Sequence, residues 1–121
     1  MNQNITAEME QRVRHTLETM ARQQTTISYR QLALEAEIPG PQVIHRLTRI
    51  LENILRQDHA KGEVSLAPLA VSRGEPAIPR VGFFLLLQEL GSYHGSDQGE
   101  DARTHHQILV AQAYKKALPH P

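Results

Sequence analysis

The chain has 121 residues, 40% of them apolar, which suffices for one domain with a single compact core. Thirteen Lys and Arg offset thirteen Asp and Glu, so the overall positive field carried by many dedicated nucleic-acid binders is missing. The absence of cysteine excludes disulfides, thiolate nucleophiles and thiolate metal sites, and fits a reducing cytosol.

The first residues lack a basic-then-apolar signal pattern, and the apolar run Phe83 to Leu87 is far too short to span a bilayer. A cytoplasmic chain without a membrane partner is expected. A first helix is predicted after Thr6, which caps it, with Glu8 and Glu10 in the favourable first turn. Met9, Val13, Leu17 and Met20 then share one stripe that faces the core, and the polar run Arg22 to Thr26 ends the helix.

Ser28 and Gln31 form a capping box, with Ile27 and Leu32 as its hydrophobic staple. The short helix they start carries Tyr29, Leu32, Ala33 and Ala36 inward and stops near Ile38, before Pro39-Gly40-Pro41. Pro41 suits the first turn of a third helix running to Gln57. On it Val43, Ile44, Leu47, Ile50, Leu51, Ile54 and Leu55 gather on one side, and Gln42, His45, Arg46, Arg49, Asn53 and Arg56 on the other.

Asp58 to Glu63 reads as a turn. Val64 to Val71 is β-prone but interrupted by Pro68, and Ser72 to Pro79, with Gly74, Pro76 and Pro79, reads as a hairpin tip. A short helix follows from Gly82-Phe83-Phe84 to about Leu90. After a glycine-containing acidic connection, a last helix spans about Asp101 to Leu118, with Ile108, Leu109, Ala111 and Ala113 as its apolar surface and Lys115 and Lys116 at its end.

The expected architecture is mostly α (α+β), a winged helix-turn-helix with a short β-hairpin and extra C-terminal helices. One domain over 1–121 holds the helix-turn-helix at 27–57, the wing at 64–82 and the C-terminal helices at 83–118. In that frame the third helix enters the DNA major groove. Gln42, His45 and Arg46 read bases, Arg46, Arg49, Arg56, Arg73 and Arg80 supply affinity, and the Tyr29 hydroxyl meets a phosphate.

The runs ISYRQLALEAEIPGPQVIHRLTRIL and SLAPLAVSRGEPAIPRVGFF, which together span about half of the chain, resemble the winged-helix DNA-binding domain of the alkyltransferase-like and alkylguanine-DNA alkyltransferase proteins, with their Tyr-x-x-Leu-Ala start. They are also similar to small bacterial winged-helix modules with a Val-Ser-Arg step and a Pro-rich loop before Gly-Phe-Phe. Where the alkyltransferases carry a reactive Pro-Cys-His-Arg, this chain has Pro68-Leu69-Ala70-Val71, so alkyl transfer is excluded. Val43 stands at the approximate position of the family's arginine finger, and Arg46 is its nearest substitute.

Seven histidines raise the question of a metal, but the adjacent pair His105-His106 points in two directions on a helix, and no metal or cofactor is expected. Asp97, Glu100 and Asp101 do not follow a calcium-loop order. No phosphate loop or nucleophile elbow is present, so the expectation is a non-enzymatic DNA-binding protein, a transcription regulator or DNA-associated accessory factor of bacterial type. The alternative is a protein-interaction module or homodimer on the same frame, which the neutral net charge favours.

Overall fold

The computed structural model describes residues 6–74 and 77–118. Its elements run α1 (Ala7–Arg22), β1 (Ile27–Ser28), α2 (Tyr29–Glu35), α3 (Val43–Ala60), a 3-10 turn (Ala67–Leu69), β2 (Ala70–Val71), α4 (Val81–Glu89) and α5 (Gly99–Ala117). The chain is therefore mostly helical, with one two-stranded parallel pairing among the described residues. None of these helices is long and apolar enough to cross a membrane.

Thr6 caps α1 by accepting the Met9 N–H at 3.1 Å, and Val13 and Leu17 of the expected stripe are buried in the core. Ser28 caps α2 by accepting the Gln31 N–H at 3.1 Å. The Gln31 side-chain amide donates through its Nε2 to Glu35. Arg12 of α1 donates to the carbonyls of Ala36 and Glu37, satisfying backbone acceptors that the end of α2 leaves open.

Four helices end in the same way. Thr25, Ile38, Glu63 and Ser92 each donate a backbone N–H to the carbonyl five residues earlier, and the residue before each donor has a left-handed backbone. Gly62 and Gly91 take that conformation without a steric cost, whereas Gln24 at φ 59° and Glu37 at φ 55° take it as non-glycine residues.

The third helix departs from its expected limits. It starts at Val43, not Pro41, because Gln42 has φ 59° and ψ 46°, which breaks the right-handed path; the Gly40–Pro41 bond before it is cis. It also continues through Asp58 to Ala60. Asp58 stays helical and buried because Arg14 of α1 meets its carboxylate at 3.1 Å, and a paired charge tolerates burial far better than a lone one.

The expected hairpin over 64–82 is not formed among the described residues. Ala70 and Val71 pair in parallel with Ile27 and Ser28 instead of with a following strand. The returning limb makes one cross-bond, from the Ser72 N–H to the Ile78 carbonyl at 2.8 Å, and Pro79 has no N–H with which to extend a ladder. The wing region is thus a 3-10 turn, a two-residue strand and a loop.

Helix α5 packs on α1 and on the 3-10 turn. Its inner seam is Ala102, His106 and Ala113 with Leu109 beside them, while Ile108 and Ala111 of its apolar surface face outward. His106 is buried, and its Nε2–H donates to the Pro68 carbonyl at 2.8 Å. Burial lowers its pKa below 6.5, the Pro68 bond opposes that, and neighbouring His105 lowers it further.

Two outcomes follow for stability. Replacing Glu37 by Gly removes the left-handed strain at an exposed residue while keeping its backbone bonds, and urea denaturation should show a gain of about 0.5–1 kcal/mol. Because the folded-state pKa of His106 is depressed, its contribution is fully present above the unfolded value near 6.5 and is lost as pH falls through the folded one. Urea midpoints measured from pH 7.5 to 5 should fall, and less steeply in His106→Gln; part of the slope remains because burial also lowers the pKa of His105.

Candidate nucleic-acid interface

Helix α3 is two-faced for a simple reason: Leu47, Ile50, Leu51, Ile54 and Leu55 recur at helical spacing and are buried. Its N-terminal half exposes Gln42, His45 and Arg49, and no carboxylate occurs between Gln42 and Arg49. The C-terminal half is different. Arg56 is exposed but donates to Glu89 of α4 at 2.8 Å, and this bond holds the Glu89 carboxyl below its usual range.

Arg46 does not belong to the exposed set. It is 8% exposed, and its Nη1 donates to the Pro39 carbonyl at 2.6 Å, closing the connection between α2 and α3. The spacing contains the signal: Arg46 lies three residues after Val43 and four before Ile50, about 40° from Ile50 around the helix. It stands at the border of the buried stripe, where a long side chain can turn either way.

The loop after β2 is fixed to the start of α2 by one residue pair. The Arg80 N–H donates to the Tyr29 hydroxyl at 2.9 Å, and the Arg80 guanidinium lies 5.3 Å from the centre of the Tyr29 ring. Burial raises the Tyr29 pKa, with the Arg80 N–H and charge opposing, so the phenol is protonated at neutral pH. Its own O–H donates to no described residue. Arg73 and Arg80 are both exposed.

The chain thus brings Tyr29 and Arg80 into direct contact, leaves Gln42, His45, Arg49 and Arg73 exposed on α3 and the loop, turns Arg46 inward and pairs Arg56 with an acid. Sequence reasoning missed Glu89, whose proximity to Arg56 depends on how α4 returns against α3. Leu69 is completely buried.

The two adjacent histidines have local partners: His105 stacks on Tyr93 with centroids 4.4 Å apart, and His106 bonds Pro68. Among the described residues no three His, Asp or Glu side chains gather to hold a metal ion. Compared with protein-family models, with curated proteins and with solved structures, the chain has no match.

The different settings of the two neighbouring arginines are testable. Arg46→Ala leaves the Pro39 carbonyl without its charged donor and should cost about 1–3 kcal/mol in urea denaturation. Arg49→Ala removes an exposed side chain and should change stability by less than about 0.5 kcal/mol.

Proposed function

We propose that this protein is a winged-helix-type module that binds duplex DNA without catalysing a reaction, serving as a small transcription regulator or a DNA-associated accessory factor. The observation that carries the reading is the Tyr29–Arg80 contact. It ties Arg80, at the end of the loop after β2, to the start of the helix pair whose outer face offers Gln42, His45 and Arg49. The resemblance of residues 27–51 and 65–84 to alkyltransferase winged helices agrees with it.

The mode of binding follows from which groups are free. Arg49, Arg73 and Arg80 neutralise phosphates, while the buried Tyr29 acts through the hydroxyl that holds the Arg80 N–H. With Arg46 turned to Pro39, base reading falls to Gln42 and His45, so discrimination between sequences is modest compared with phosphate affinity. Arg56 contributes little because Glu89 already holds it.

A second reading, a protein-interaction module or homodimer without DNA, draws on one observation: Val81 and Leu85, one turn apart on α4, are 43% and 49% exposed. One experiment separates the two. Fluorescence anisotropy with a labelled mixed-sequence duplex should show binding that weakens steeply with salt. Arg49→Ala and Arg73→Ala should each reduce the slope of log K against log[salt] by about 0.9, while Arg56→Ala leaves it nearly unchanged. Absence of binding at low salt, or binding indifferent to both changes, overturns the DNA reading, and a concentration-dependent dimer in sedimentation then favours the second.

A further inference from the structure

Away from the face that carries Gln42 and Arg49, α1, α3 and α5 converge on a half-open cleft of about 330 Å³. Leu17 and Ile54, each 1% exposed, make its floor, and Leu66 and Ala117 its walls. That volume lies at the lower end of the about 300–1,000 Å³ range of small-molecule sites, and an apolar floor with a few polar groups is their usual composition.

The charges around it are fixed in unequal ways. The Arg14–Asp58 pair cancels internally, with Arg14 also donating to Gln57. Lys116 is anchored by one donor to the Val64 carbonyl at 2.6 Å, which leaves two of its three N–H groups for another acceptor. Arg22 is exposed and uses one Nη2 bond, to Thr19, leaving the rest of its fork open. Glu18, one turn before Arg22, is the remaining carboxylate on the rim and disfavours a second negative charge.

We infer that this cleft binds a small organic monoanion, a carboxylate with a compact apolar body, whose body rests on Leu17 and Ile54 and whose head accepts from Arg22 and Lys116. A doubly charged phosphate lacks the apolar part that the floor would cover and meets repulsion from Glu18. A cation of the same shape finds the rim already occupied by like charge.

The test is a titration of the isotope-labelled full chain followed by NMR, with 1-naphthoate as probe and acetate and 1-naphthylmethylammonium as comparisons. Naphthoate should move the amide signals of Leu17, Ile54 and Lys116 along saturable curves, and the comparisons should leave them in place. Arg22→Glu, a change on an exposed side chain, should weaken naphthoate about tenfold, consistent with the loss of one charge-assisted bond. Ala117→Trp, which fills the cleft from its wall, should abolish the response while the remaining spectrum stays dispersed. No saturable shift, an equal response to the ammonium compound, or a response unchanged in Arg22→Glu would each overturn the assignment.

Discussion

The course of the chain beyond β2 is set by a parallel pairing two residues long. Ile27 lies opposite Ala70 and Ser28 opposite Val71. Parallel strands cannot be joined by a tight turn, so the chain between them must cross over, and here α2, α3 and the 3-10 turn form that crossover. The pairing delivers the chain leaving β2 to the start of α2, where the Arg80 N–H reaches the Tyr29 hydroxyl. A hairpin would have carried the same loop away on its own stem. The pairing instead ties it to the helices.

The second constraint is the division of labour along α3. Its apolar side runs the length of the helix, from half-buried Val43 to buried Leu55, and anchors it to α1 and α2. Its polar side changes character near the middle: exposed and free of acid at the start, paired to Glu89 near Arg56, and drawn inside at Asp58. Arg46 joins the two regimes. Its hydrogen bond to Pro39 holds the start of α3 against the end of α2, so a side chain of DNA-reading type secures the geometry of its exposed neighbours.

The legible parts of the sequence are those governed by local rules. Thr6 and Ser28 cap because a short hydroxyl there reaches the N–H three residues on, and the α1 stripe is inside because its spacing matches the helical period. The illegible parts depend on what arrives from elsewhere. Asp58 and Ala60 look like a turn until Arg14 supplies the partner that lets Asp58 remain buried. Pro41 resembles a first-turn residue, but the left-handed Gln42 postpones the helix, and no glycine marks that position. In α5 the inner seam runs through Ala102, His106 and Ala113, and hydrophobicity alone points to Ile108 instead, since the close approach of α1 and the 3-10 turn rewards small side chains and a well-placed donor. For the candidate site, exposure of Gln42, His45 and Arg49 was readable from period, whereas the inward turn of Arg46 and the Tyr29–Arg80 contact needed the tertiary arrangement.

Neutral net charge is the apparent obstacle to a nucleic-acid role, and the distribution of the carboxylates weakens it. Glu8 pairs with Arg12, Glu10 and Asp58 with Arg14, and Glu89 with Arg56, so these acids are spent on cations outside the start of α3. Screening at physiological salt confines an exposed charge to about 8 Å, so a phosphate approaching Arg49 or Arg80 responds to the local set and not to the sum over the chain. Because Arg46 and Arg56 are also engaged, the free cations that remain are few. On the proposed reading such a surface would hold DNA through a small number of phosphates, with correspondingly modest affinity, and the Tyr29–Arg80 contact would set the position of Arg80 among them.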